Sequence, residues 1–161
     1  MRIKATNSPI NSDETRLELD SYADTTVLGK GCLVVHDFDG SVNVTGYDPE
    51  NVSKVFRTVT GVLDYDNPQT DKPYLMVINQ AIHLDNLEHH LMCPMQCITN
   101  GININETPKY QSKPQDKSTH ALQVEYQSDE EGDMFTIPFQ LSEFTNYFPY
   151  QKPTKAEWED D

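Results

Sequence analysis

No part of this chain runs far before it meets a residue that breaks a helix. Ten prolines, seven glycines and many Asn and Asp residues fall between short apolar runs, which leaves no room for a long amphipathic helix and favours short strands joined by frequent turns. Strand candidates are Arg16–Asp20, Thr25–Leu28, Cys32–His36, Ser41–Tyr47, Lys54–Leu63 and Tyr74–Leu84, followed by Ile102–Asn105, Ala121–Tyr126 and Met134–Pro138. One short helix is expected at Pro94–Asn100. Proline suits a first helical position, where its missing N–H is not needed, and Gly101 stands where a left-handed C-terminal cap is wanted. The expected fold class is therefore all-β, mainly strands with one short helix.

The bulk properties narrow the function classes. At 161 residues with 36% hydrophobic content, the chain suits one domain and an appendage with a modest core. Twelve basic residues against 26 acidic ones give a net charge of −14, which argues against a direct nucleic-acid surface and against attraction to an anionic membrane. No stretch of about 18 apolar residues exists to span a bilayer, and the first 20 residues lack the apolar core of a signal peptide. An intracellular, cytoplasmic protein is expected. Cys32, Cys93 and Cys97 are an odd number and are read as reduced thiols, and the triplets at Asn43, Asn51 and Asn105 that fit a glycosylation pattern then carry no meaning.

Residues 1–14 are polar and read as a flexible lead-in, and 108–119, with Lys, Gln, Ser and Pro, as a linker. Residues 120–150 read as a C-terminal β extension: a hairpin with a solvated acidic turn at Ser128–Asp133, onto which the aromatic segment of Phe144, Tyr147, Phe148 and Tyr150 would add a third strand. Residues 151–161 form a tail that closes on Glu157-Trp158-Glu159-Asp160-Asp161.

The chemistry starts at Leu17–Gly29. Leu17 and Leu19 alternate with Arg16 and Glu18 at the period of a half-buried strand, and Asp20 arrives just as that strand ends. Ser21, Tyr22, Ala23 and Asp24 follow before Thr25-Thr26-Val27-Leu28 resumes as β-branched and apolar. Two readings stand side by side. Asp-Ser is ordinary turn chemistry, since both side chains bond nearby backbone amides; an acid on a short loop between two strands is also well placed for catalysis and open to water.

The run Asp20-Ser21-Tyr22-Ala23-Asp24-Thr25-Thr26-Val27-Leu28 resembles the active-site loop of retroviral and retrotransposon aspartic proteases, whose pattern is Asp, then Thr or Ser, then Gly, Ala and often Asp. A second segment, Ile78–Met92, is similar to the part of copia-type retrotransposon proteases in which an apolar strand leads through a polar turn to Asn-Leu-Leu, here His90-Leu91-Met92, and then a helix. The resemblance covers roughly residues 15–107 and implies one half of a retropepsin-like acid protease, a closed β-barrel with the hairpin beyond it as an extra. It implies a homodimer in which Asp20 from each subunit activates one water, with Ser21, Tyr22, Ala23, Asp24 and Thr25 forming the active-site loop. Ser21 would lock the two loops, Ala23 would leave room for the peptide, and Asp24 would lie toward the substrate backbone. A mobile hairpin covering the peptide would fall somewhere between Tyr47 and Pro68. The partners implied are a second copy and peptide segments of the parent Gag-Pol polyprotein, in the cytoplasm or in retrotransposon particles, with no cofactor and no metal.

Two departures from the pattern open alternatives. Tyr22 stands where the family has glycine, a position at which bulk is rarely accommodated, and Cys93-Pro94 stands where the retroviral branch has Gly-Arg or Gly-Lys, which removes an expected ion pair with Asp24. A catalytically inactive protease fold serving as a scaffold is the first alternative. A metal module of His89, His90, Cys93 and Cys97, with His83, Cys32 and His36 as extra ligands, is the second; on one continuous helix His89, Cys93 and Cys97 would share a face, but Pro94 would then sit in the helix interior at a cost of about 3 kcal/mol. No phosphate-cradling glycine loop and no Gly-x-Ser-x-Gly elbow is present.

Overall fold

A computed structural model describes residues 15–45, 54–125 and 134–159. In chain order the strands are β1 (Arg16–Leu19), β2 (Val27–Leu28), β3 (Leu33–Val44), β4 (Lys54–Asn67), β5 (Lys72–His83), β6 (His90–Met92), β7 (Asn103–Asn105), β8 (Ala121–Glu125), β9 (Met134–Pro138), β10 (Gln140–Ser142) and β11 (Thr145–Pro149). The helices are α1 (Pro94–Thr99) and α2 (Lys155–Glu159), with a 3-10 turn at Lys109–Gln111. The protein is mostly β, as the punctuation of the sequence requires. Among the described residues the sheets do not close into a barrel, which corrects that part of the expectation. No helix among them is long and apolar enough to cross a membrane. The lead-in at 1–14, the turn at 47–50 and the acidic turn at 128–133 lie outside the described residues.

The described residues fall into two compact units. The first is Thr15, Thr26–His90 and the stretch from Pro149 on; the second is Arg16–Thr25 with Leu91–Phe148.

In the first unit the strand order is β2-β5-β4-β3, with β4 antiparallel to both neighbours and β2 parallel to β5 through Val27↔Ile82 and Leu28↔His83. The middle of β4, Val59–Leu63, is buried without a break, as expected where a sheet is covered on both faces. Leu28, Cys32, Tyr65, Ala81 and Ile82 complete this core. Residues Cys32–His36 and Ser41–Tyr47, read as two strands, are mostly one: β3 runs through the Asp39-Gly40 turn signal, which the ladder absorbs as an irregularity between Phe38 and Ser41. β2 is correspondingly shorter than the Thr25–Leu28 expected.

In the second unit β10-β11-β1 and the Leu91–Met92 part of β6 are neighbours in one sheet, and β7-β8-β9 form another. Leu17 and Leu19 of β1 are buried in alternation, and the Arg16 guanidinium lies over the Tyr147 ring at 5.2 Å. The aromatic segment does not extend the β8–β9 hairpin. β7 takes the free edge of β8 through Asn105↔Ala121, and β11 folds back on β10 through a two-residue turn in which Glu143 is left-handed with φ 55°. Residues 108–119 hold the 3-10 turn and a second turn in which the Asp116 carboxylate accepts from the Ser118 N–H at 2.8 Å and hydroxyl at 2.6 Å.

The expectation of one helix missed α2. Its start is a capping box: the Glu157 carboxylate accepts from the Thr154 N–H at 2.6 Å and hydroxyl at 2.7 Å, while the Glu157 N–H donates to the Thr154 oxygen at 3.3 Å.

Gly29 and Gly61 are both tightly packed, but differently. A Cβ on Gly29 would land on the carbonyl oxygen of Leu87, which is backbone, whereas one on Gly61 would meet the end of the Leu28 side chain, which can turn aside. Urea titration is expected to show Gly29→Ala destabilised by about 3 kcal/mol and Gly61→Ala by clearly less, on the scale of overpacked cores.

Candidate active-site loop

β1 ends at Leu19 and the half-buried Asp20 is the first residue of the loop. Its backbone N–H donates to the Met92 carbonyl at 2.9 Å, so the loop is anchored to the strand segment that runs into α1. The Asp20 carbonyl accepts from the Ala23 N–H at 3.2 Å, and its Oδ1 accepts from the Tyr22 N–H at 2.9 Å. Both sequence readings meet here. The carboxyl does local turn work through one oxygen, and the same bonds fix its position at the head of an exposed loop.

The rest of the loop faces water. Ser21, Tyr22 and Asp24 are exposed, Tyr22 to 83%, while Ala23 and Thr25 are half-buried. The Ser21 hydroxyl donates to Glu106 Oε1 at 3.5 Å, at the outer limit of a hydrogen bond. The Glu106 carbonyl in turn accepts from the Asn146 side-chain amide at 3.4 Å, and Asn146 Oδ1 lies 2.7 Å from His120 Nε2. Glu106 is a site residue that sequence reasoning missed. Nothing in its local pattern, Asn105-Glu106-Thr107-Pro108, marks it, since only the fold brings it to Ser21.

At the start of α1, where the resembled retroviral pattern has a basic residue, Cys93 caps the helix: its sulfur accepts from the Gln96 N–H at 3.4 Å. Pro94 is the first helical residue, so His89 and His90 precede the helix and cannot share a helical face with Cys93 and Cys97. Among the described residues no group of three or more His, Cys, Asp or Glu side chains is placed to hold a metal ion, which corrects that alternative. Burial, and then the neighbouring Cys93, pushes the Cys97 thiol up to about 11, so it is protonated at neutral pH.

The first unit holds two polar groupings of its own. Arg57 donates to Asp37 Oδ2 at 2.7 Å and lies 2.9 Å from His83 Nδ1. Burial lowers the pKa of His83, and the neutral ring can accept from the guanidinium. His90 is completely buried. Its Nδ1 accepts from the Gly29 N–H at 2.8 Å, its ring stacks on Tyr150 with centroids 4.3 Å apart, and among the described residues its Nε2 has no hydrogen-bond partner.

Burial, helped by His83 and His89, pushes the His90 pKa down to about 3 from its ordinary 6.5. The folded chain therefore refuses a proton that the unfolded chain takes up, so stability is full above about pH 6.5 and falls as pH drops toward 3. The loss is on the order of 4 kcal/mol over that window. His90→Gln, which cannot titrate, is expected to flatten this acid limb when unfolding free energy is measured against pH.

No protein-family model matches the chain, and neither a curated protein nor a solved structure matches it.

Proposed function

We propose that the chain is the aspartic endopeptidase of a retrotransposon, with the fold of an acid-protease half, processing its own polyprotein as a homodimer. The observation that carries this reading is the placement of Asp20, half-buried and bonded at both its N–H and its carboxylate, at the head of an exposed loop on a residue run that resembles the family's active-site loop. The β3–β4 arm adds support. It is exposed on both faces from Asp39 to Val44 and at Lys54–Val55, and so suits the mobile hairpin that the resemblance implies.

The chemistry needs two carboxylates sharing one proton across a water, because like charges about 3 Å apart cannot both ionise. One takes a proton from the water while the other donates to the scissile carbonyl. A single chain offers one such loop, so the second Asp20 comes from a two-fold-related copy, and the two titrate as a unit. Ser21, Ala23 and Asp24 would line the approach of the peptide.

Tyr22 favours a second reading, a catalytically inactive scaffold of the same fold. Its ring projects from the loop two residues after Asp20, where a substrate or a second loop would approach.

Cleavage of polyprotein-derived peptides at mildly acidic pH tests both. Asp20→Asn is expected to lower kcat by at least about 1000-fold, and Tyr22→Gly to raise it above that of the unsubstituted chain. Activity that survives Asp20→Asn rules the peptidase out, and silence from both the natural chain and Tyr22→Gly favours the scaffold.

A further inference from the structure

The β3–β4 ladder outruns the rest of its sheet. β5 pairs with β4 only as far as Thr58↔Ile82, and the next rung would set Arg57 against His83, the last residue of β5. Beyond that rung Lys54–Phe56 pair only with Val42–Val44 of β3, so the sheet narrows to two strands. Two strands alone are marginal in water, and an arm of this kind takes its order from whatever holds its root. The root here is polar. Asp39 and Gly40 of β3 are left unpaired in the ladder, and Arg57 spans them: it is the ladder partner of Ser41, while its Nη1 donates to Asp37 Oδ2 at 2.7 Å.

One nitrogen at this root meets two incompatible neighbours. His83 Nδ1 lies 2.9 Å from Arg57 Nη2, which can only donate, and 3.1 Å from Asp85 Oδ1, which as a carboxylate can only accept. The His83 side chain is 6% exposed, so these neighbours rather than bulk water set what it does. With a lone pair at Nδ1, the ring accepts from Arg57 and meets Asp85 acceptor to acceptor. As an imidazolium it donates from Nδ1 to Asp85; two donors do not stay 2.9 Å apart, so the guanidinium draws back toward Asp37. The groups around the ring are Arg57 from β4, Asp37 from β3, Asp85 from the turn after β5, the Gly29 backbone, and His90 from β6, with Cys32 near Arg57 and Asp85. His90 keeps its neutral ring down to about pH 3, and burial holds the Cys32 thiol up, so neither changes charge near neutrality. Burial, seconded by Arg57, keeps the pKa of His83 below its ordinary 6.5, against the pull of Asp85, the Gly29 backbone and Asp37.

The geometry points to His83 as a pH-sensitive latch: neutral, it holds Arg57 and ties the root of the β3–β4 arm to β5; protonated, it turns to Asp85 and releases the arm. Release comes as pH falls below 6.5, the side on which the buried ring takes up its proton. Asp85 makes the latch two-state, because it gives the charged ring a partner of its own. The inference stands on the first unit alone and does not need the protease reading.

Backbone heteronuclear NOE values of the full chain, recorded from about pH 7.5 to about pH 5 beside the His83 ring signals, test this. The values at Val42–Val44 and Lys54–Phe56 are expected to fall with the midpoint of the His83 ring, while those at Val59–Leu63 stay constant. His83→Asn, which can accept from Arg57 and cannot titrate, should keep the arm ordered across the range. Asp85→Asn, at a side chain 84% exposed and so tolerant of change, should lower the midpoint by about half a pH unit, the worth of an exposed charge pair. His36→Asn, at an exposed position of β3, should change nothing. An arm whose order ignores pH, a transition that survives His83→Asn, or one abolished by His36→Asn overturns the inference. If His83→Asn does not fold, the Asp85→Asn midpoint decides, and a midpoint that stays in place overturns it too. No peptide is cleaved in this experiment, so every outcome leaves the test of Asp20 separate.

Discussion

The short strand β2 depends on a close approach that only glycine permits. Two residues of parallel pairing with β5 cannot hold a strand by themselves, but the segment that follows is pinned from several sides. The Gly29 N–H donates to His90, the Lys30 N–H donates to the Leu87 carbonyl at 3.1 Å, and Gly31 lies against the Tyr150 hydroxyl. Any side chain at Gly29 would displace the Leu87 backbone, so the packing of β2, the Leu84–Leu87 turn and Tyr150 stands or falls together. Buried polar groups paid for this arrangement: His90 and Tyr150 each keep a polar atom out of water without a partner among the described residues.

Most of the architecture was legible because its signals are local. Alternation placed β1, proline placed the start of α1 to the residue, and β-branched runs placed β4, β5, β8 and β9 within a few positions. The failures have physical causes. Asp39-Gly40 reads as a turn, yet a bulge can absorb such a pair inside a long hairpin. The aromatic segment lies next in sequence to the β8–β9 hairpin, but which edge of β8 is free depends on β7, some twenty residues earlier. α2 was legible too, since the spacing of Thr154-Lys155-Ala156-Glu157 is a capping signature. At the candidate site the sequence indicated Asp20 and its loop, while Glu106 came to Ser21 by tertiary folding and left no trace in its neighbourhood.

The pairing of Thr15 with Tyr150 has a consequence for how the chain is made. The Thr15 hydroxyl donates to the Tyr150 carbonyl at 2.8 Å, and the Tyr150 N–H returns a bond to the Thr15 carbonyl at 3.3 Å, across 135 positions. The loop they close spans nearly all the described residues, so its entropy is lost before its contacts repay it. On a ribosome, this pair of bonds cannot form until Tyr150 has left the exit tunnel.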